Sequence, residues 1–413
     1  YSFPGNVSSN EWWSDYPFIG LTDSSLMLSV LLWKDGDTGW ETDAVDENIW
    51  QFNLEDGFAG INVRNRMYSG LSYGGKQIWN TRPVHASPDV YGPDLLLIGN
   101  RPKDIQNDTF FLIRVSGSWD GNGGQPDVMP LRSNTAYGLQ PNVTQLGGRR
   151  LRTNYCDIQN AYFFNGNAYF CSNTIDFNTG RPAVYVGKIE DVLGDFPTVT
   201  GKIYGVDSLD LNYPSIAYAG AGWPDESSII MCLHNSPNTY PGTSVFYQDR
   251  HGDFSDLLRL KEGEGMMNVL LSDSLERWGD YTGIQTDYST PGSVWIAGSF
   301  GLKSGGSQTW IARVSNSDPT LSVMEAAGFS PQLYPNPAQI FTLEFEVNKS
   351  QKIMVELFDV GGKRVLHQSQ DLLAGRQKLT LDPGLVSGVY FLKVMDENGE
   401  VIVSEKLILD RLR

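Results

Sequence analysis

Four dipeptides of one chemistry recur along this chain: Asp15-Tyr16, Asn154-Tyr155, Asn212-Tyr213 and Asp280-Tyr281, within "DYPFI", "NYCDI", "NYPSI" and "DYTGI". A carboxylate or amide gives directed hydrogen bonds and a phenol adds an aromatic face, so a ring of such pairs suits a hydroxyl-rich ligand such as a sugar. Arg82, Arg152 and Arg277 come shortly before copies of the pattern. If they converge, their planar forks would grip a carboxylate bidentately. The dipeptides also have a plainer use, because an Asp or Asn ahead of a strand can satisfy turn backbone groups in every copy of a repeat.

A second cluster is "WDGNGGQPDV", starting at Trp119. It resembles the short D-x-N-x-D-G-x-x-D calcium loops of propellers with one residue deleted. Asp120, Asn122 and Asp127 offer the hard oxygens that Ca²⁺ takes, and Gly121, Gly123 and Gly124 let a loop wrap the ion. A Gly-rich turn with no metal is the alternative. His85, His234, His251 and His367 are scattered, with no Cys or His at zinc-ligand spacing. Phosphate-loop, nucleophile-elbow and dinucleotide fingerprints are lacking.

Composition narrows the class of elements that must position these residues. Aromatics make up 12% and charged residues only 19%, with 44 glycines, which favours short strands and tight turns over long amphipathic helices. A net charge of −17 opposes binding to a phosphate backbone and leaves proteins, glycans or cations as partners. Cys156, Cys171 and Cys232 are too few for a disulfide framework and are expected as buried thiols, which leaves the redox compartment open. The apolar run "SSLMLSVLLW" is well short of the roughly 18 residues of a membrane helix and reads as a buried strand. The sequence opens at Tyr1 without a basic-then-apolar leader, as expected of a removed signal peptide or of a start within a longer protein.

The first 314 residues read as a repeat. The tyrosine position falls at 16, 155, 213 and 281, with a degenerate copy "ASPDV" placing it at 87. A later marker, aromatic-x-x-basic-aliphatic, returns as "FLIRV", "YVGKI" and "WIARV", with looser versions "WQFNL" and "FYQD". Multi-strand repeats of this order suggest propeller blades, which cover each other's faces and leave only short edges. Five blades are expected, or six if "FAGINVRNRMYSGLSYGG" makes its own sheet or residues precede Tyr1.

After "SPQLYPNPAQ" the texture changes. "FTLEFEV", "KIMVELFDV", "QKLTLDP" and "GVYFLKVMD" alternate apolar and polar residues between Gly-containing turns, the pattern of a small Ig-like β-sandwich of six or seven strands. Pro335 and Pro337 should hold 333–338 extended and keep the linker out of the sheet. Gly361-Gly362 should supply the positive φ of a hairpin turn and Gly388 a tight return.

"YPNPA" (Tyr334, Pro335, Asn336, Pro337), "LFDVGGKRV" (Gly361, Gly362, Lys363), "LVSGVYFLKV" (Gly388, Tyr390) and "EKLIL" (Lys406) together resemble the type A C-terminal sorting domain of type IX secretion cargo. The resemblance covers about 80 residues. It implies transit through the periplasm, passage through an outer-membrane translocon, recognition by a β-barrel shuttle, and removal of the domain by a sortase-like peptidase at the surface. "DSL" at Asp207 and Asp273 resembles the O-glycosylation motif of bacteria with this pathway, pointing to Ser208 and Ser274.

The segment 277–300 resembles the last blade of secreted, distantly sialidase-like propeller passengers. "KDGDTGW" and "SGGSQTW" only echo the Asp-box of that family, and no Tyr–Glu nucleophile pair stands out. The sequence therefore predicts an all-β chain: a propeller over 1–314, a linker over 315–332 with a processing site, and a sorting domain over 333–413. It is secreted or surface-attached and acts as a binding or adhesion module. A glycosidase acting on acidic glycans and a structural subunit of a surface assembly are the alternatives.

Overall fold

The computed structural model describes residues 12–34, 46–119, 124–222, 224–270, 275–280, 282–316, 332–347, 350–396 and 401–410. The chain is all-β and divides into two units, 1–316 and 317–413.

The first unit is a series of antiparallel meanders. The first comprises β1 (Trp12–Leu21), β2 (Ser25–Lys34), β3 (Asp46–Asn53) and, after the short helix α1 (Leu54–Ala59), β4 (Asn65–Tyr68). Asn53 caps α1 by accepting a hydrogen bond from the Asp56 amide at 2.8 Å. A two-stranded hairpin, β5 (Ser72–Tyr73) and β6 (Lys76–Gln77), leads to the second meander: β7 (Arg82–Pro88), β8 (Leu95–Gly99), β9 (Asn107–Val115) and β10 (Asp127–Tyr137). The short strands β11 (Val143–Thr144) and β12 (Arg150–Leu151) precede the third: β13 (Ile158–Phe164), β14 (Asn167–Ile175), β15 (Pro182–Glu190) and β16 (Thr198–Tyr204). The fourth is β17 (Asp210–Tyr218), β18 (Ser228–Ser236), β19 (Thr239–Gln248) and β20 (Leu258–Lys261). After β21 (Leu275–Glu276), which pairs in parallel with β12, comes a three-stranded sheet of β22 (Gly283–Thr286), β23 (Ser293–Gly301) and β24 (Ser307–Ser315).

Period-two side-chain geometry explains why the middle strands read as unbroken apolar runs. On β8 and β9, Leu95, Leu97, Phe111 and Ile113 pack with Met27 and Ile49 of the first meander. The alternate residues Leu96, Ile98, Phe110 and Leu112 pack with Phe163, Phe170 and Tyr185 of the third. The third and fourth meet through Tyr162, Phe164, Val184, Ile216, Ile230 and Phe246. The fourth and fifth share Met231, Leu233, Val294 and Ile296. Each sheet is thus wedged against its neighbours in chain order, a propeller-like stack. The second and third meanders also join edge to edge through a parallel β7–β13 pair, making one eight-stranded sheet. Its outer strands approach each other, with the Thr135 hydroxyl on the Gly201 carbonyl at 2.6 Å and the Gly201 amide on the Asn134 side chain at 2.9 Å.

The structure corrects several details. Asn165-Gly166 turns β13 into β14, with a bulge between Ile158 and Asn160. As expected, all three cysteines are buried free thiols. "FAGINVRNRMYSGLSYGG" does not build a separate blade: it contributes the end of α1, β4 and β5. Of the calcium-loop residues, Asp120 and Asn122 lie outside the described residues, and Asp127 is an exposed start to β10. Among the described residues no cluster of three His, Cys, Asp or Glu side chains could hold a metal.

The second unit has two antiparallel sheets. One consists of β25 (Gln332–Tyr334), β26 (Phe341–Val347) and β29 (Gly375–Leu381), the other of β28 (Arg364–Leu372), β27 (Gln351–Asp359), β30 (Gly388–Met395) and β31 (Val401–Leu409). Phe341, Leu343, Phe345 and Leu379 of the first share one core with Val355, Leu357, Leu392, Val394 and Leu407 of the second. Contrary to the extended linker expected, 332–334 pair with β26, and the Tyr334-Pro335 and Asn336-Pro337 bonds are cis. Neither proline needs a ladder donor, because each follows the paired stretch. Of Gly361, Gly362 and Gly388 only Gly362 has positive φ, at 76°. Ser315 and Gln332 belong to strands, and the segment 317–331 lies outside the described residues.

Phe110 is buried against Tyr137, Phe170 and Tyr185, with ring centroids 4.8, 4.9 and 5.2 Å away. Phe110→Ala is expected to destabilise the first unit by about 3–5 kcal/mol. All 11 tryptophans lie within 1–316, so urea unfolding followed by tryptophan fluorescence reads that unit alone. An unchanged midpoint would show that this contact carries no load.

Candidate functional site

Left-handed backbone recurs near the start of successive sheets. Tyr16, Asn80, Asn154 and Tyr213 all adopt left-handed backbone, with φ of 53°, 62°, 54° and 50°. Asn tolerates that region better than most residues. In β1 and β17 the dipeptide sits at a bulge, between Asp15 and Phe18 and between Asn212 and Ser215. In the second meander the copy is Asn80-Thr81-Arg82-Pro83-Val84, ahead of and entering β7. The "ASPDV" segment expected there instead runs through the end of that strand.

The segments around Tyr16, Asn80, Asn154 and Asp280 line a pocket of about 270 Å³. Asp15, Tyr16, Arg152, Asn154, Tyr155, Arg277 and Asp280 line it, joined by Trp33, Trp79, Asn80, Gln140, Asn142 and Asp157. Asn212 and Tyr213 do not reach it. Their side chains are buried, Asn212 donating to the Asn235 side chain at 3.5 Å and Tyr213 to the Arg152 carbonyl at 2.8 Å. Tyr281 lies outside the described residues.

The floor is a buried ionic network. Arg82, only 1% exposed, sends Nη2 to Asp157 Oδ2 at 3.0 Å and Nη1 to Asn80 Oδ1 at 2.6 Å. Its guanidinium lies 3.6 Å from the Phe18 ring centroid and 5.0 Å from that of Tyr16. Asp157 Oδ2 also accepts from Asn80 Nδ2 at 2.8 Å and Gln159 Nε2 at 3.0 Å. Burial pushes the Asp157 carboxyl up to about 6, with Asp280 adding to the shift while Arg82 and Asn80 oppose it. Arg82 is therefore a support beneath the pocket and no part of an exposed carboxylate clamp.

On the rim, Asp280 accepts from Asn154 Nδ2 at 2.7 Å and Arg277 Nη2 at 2.8 Å. Trp79 meets Tyr155 edge to face at 5.8 Å, and Lys103 Nζ sits 4.8 Å from the Tyr155 ring and 5.6 Å from Trp79. Burial pushes the phenols of Tyr16 and Tyr155 above their usual value and the Lys103 ammonium below its own. The site thus presents aromatic faces beside oriented carboxylate, amide and guanidinium groups. Asp157 was missed as a site residue although it stands within "NYCDI", and Asn80 was missed because the second copy of the repeat was placed at "ASPDV". Trp33 and Trp79 carry no periodic signal.

In the second unit the motif residues assemble locally. Asn336 bridges to β31, its Nδ2 donating to the Lys406 carbonyl at 2.7 Å and its Oδ1 accepting from the Ile408 amide at 2.8 Å. Ala338 continues the pairing to Leu409. Asp359 Oδ1 accepts from the amides of Gly361 and Lys363 at 2.9 and 3.0 Å, closing the Gly-Gly turn. Tyr390 is buried and donates to the Val386 carbonyl at 3.1 Å. Residues 332–410 match the family described as Secretion system C-terminal sorting domain. The second unit is a secretion sorting domain. The chain is a type IX secretion cargo, exported to the cell surface or extracellular space.

The sorting domain accounts for only the C-terminal part of the chain. No curated protein matches the sequence at a significant level. Among solved structures, a glycoside hydrolase shares 12% identity at a TM-score of 0.35, covering 74% of this chain and 88% of that one. The Bombyx mori GH32 beta-fructofuranosidase BmSUC1 shares 13% at 0.35, covering 96% and 87%. PorZ, a bacterial surface component of the type-IX secretion system of Porphyromonas gingivalis, shares 11% at 0.23, covering 96% and 70%. Of the O-glycosylation candidates, Ser208 is exposed in the turn after β16 and Ser274 lies outside the described residues.

Glu47 braces the floor from behind. Its Oε1 accepts from the Ser29 hydroxyl at 2.6 Å and from the Thr81 amide and hydroxyl at 2.9 and 3.0 Å. Burial raises its carboxyl from an ordinary 4.5 to about 7. Stability from the protonated form is complete below the unfolded value and is lost as pH rises through the folded one. Glu47→Gln keeps the neutral shape, so its stability relative to wild type should climb by on the order of 1–3 kcal/mol across that window. Urea unfolding at several pH values checks this, and a flat difference would contradict it.

Proposed function

We propose that the first unit is a five-bladed propeller displaying a carbohydrate-binding pocket, and that the secreted protein is a binding or adhesion module. The observation carrying this reading is the meeting of the Trp79 and Tyr155 faces with the Asn154–Asp280–Arg277 cluster in one cavity. Sugar rings present an apolar face and a hydroxyl edge, and such a site offers a partner for each. The five successive sheets of the first unit, packed on one another in chain order, support the blade count. The sorting domain supports engagement with the type IX translocon, a β-barrel shuttle and a sortase-like peptidase, with cleavage in 314–333.

A second reading, glycoside hydrolysis, is favoured by one feature. Asp157 is a carboxyl held near 6 by burial, and a second carboxylate, Asp280, is close enough to raise it further. Paired carboxyl groups in unlike environments are what acid–base cleavage of a glycosidic bond uses. Product analysis by mass spectrometry of any glycan that binds separates the two readings: intact glycan favours the binding module, shortened glycan the hydrolase.

On a glycan array the full chain should retain at least one glycan class, and Trp79→Ala should weaken that binding about tenfold. No retained glycan, or binding indifferent to Trp79, would sink the pocket reading. In a type IX-secreting host, a chain ending at Ser330 should stay in the periplasm while the full chain reaches the surface or medium and loses its C-terminal domain. Equal export of both, read by mass spectrometry, would refute the proposed handling by translocon and peptidase.

A further inference from the structure

Three arginines were candidates for gripping an anionic group, and the structure gives them unequal fates. Arg82 is committed to Asp157 and Asn80 beneath the floor. Arg277 is committed to Asp280 on the rim. Arg152 lines the pocket half-buried, and among the described residues its guanidinium makes no hydrogen bond or ion pair. Its backbone is fixed all the same, because its carbonyl accepts from Tyr213 Oη at 2.8 Å and Trp278 Nε1 at 3.0 Å.

Resting on the carbohydrate-pocket reading above, we infer that the pocket selects sugars bearing a carboxylate, which pairs with Arg152. A guanidinium has five N–H donors in a rigid fork that matches the two oxygens of a planar carboxylate, and Arg152 presents its own at a partly buried position in the pocket. The competing acids are occupied. Asp157 Oδ2 holds Arg82, Asn80 and Gln159, both Asp280 oxygens are engaged, and Asp15 accepts from the Tyr16 amide at 2.8 Å. Three carboxylates around one cavity also disfavour a doubly charged phosphate or sulfate-rich ligand over a singly charged carboxylate. The ligand class is therefore a uronic or other carboxylated sugar, with its ring on the Trp79–Tyr155 side and its acid on Arg152.

The test is calorimetric titration of the full chain with two matched pairs: a galacturonate trisaccharide against its carboxyl-reduced counterpart, and sialyllactose against lactose. The acidic member of at least one pair should bind about tenfold tighter or more, a preference that declines with added salt. Arg152→Gln should abolish that preference and Arg152→Lys should keep part of it, with unfolding midpoints showing both variants folded. Equal affinity for acidic and neutral members, or a preference that survives Arg152→Gln, overturns the inference and leaves sugar binding standing. No binding to any of the four probes, with an empty glycan array, removes the carbohydrate reading and the inference with it.

Discussion

The pocket depends on a charge that water cannot reach. Arg82 is almost wholly buried, and its guanidinium must find acceptors within the protein. Asp157, Asn80 and the backbone of Asn80 and Thr81 supply them. Asp157 lies at the head of β13 and Arg82 starts β7, so the pair ties two meanders together at the point where their first strands run in parallel. A buried ion pair is weak evidence of stability, because desolvation offsets much of its attraction. Its consequence here is geometric: it fixes which atoms face the cavity.

The rest of the cavity is arranged around that floor. With Arg82 consumed below and Arg277 paired with Asp280 at the rim, the chemistry open to a ligand is set by Arg152 and by the aromatic faces. Left-handed backbone at Tyr16, Asn80, Asn154 and Tyr213 turns each head segment. Holding non-glycine residues there costs on the order of 1–3 kcal/mol each, which the burial of the following strands offsets.

The sorting domain works by a different economy. Its motif residues close its own fold. The Asn336 side chain takes the place of a backbone partner for β31, so the first and last motifs hold each other. Asp359 does the same for the Gly-Gly turn. This explains why Asn stands between two prolines: its amide both donates and accepts where neither proline can donate.

Much of this was legible in the sequence because it is local. Alternation gave the strands, "YPNPA" through "EKLIL" gave the sorting domain, and the Asp/Asn–Tyr repeat marked the sheet heads. The site was only half legible. The repeat recurs near the start of several sheets, and it could not say that Tyr213 would turn inward while Tyr155 faced the cavity. Nor could spacing separate three arginines that look alike in one dimension. Which of them is buried, which is paired and which is left open is decided by the register of β7 against β13 and by the stacking of the sheets. The sequence by itself determined the all-β class, the repeat and the secretion signal, because these follow from periodicity and short-range turn chemistry. The assembly of a polar pocket, and which of its arginines are tied to a carboxylate, were decided by tertiary structure, since partners as far apart as Arg82 and Asp157 meet only when the sheets pack.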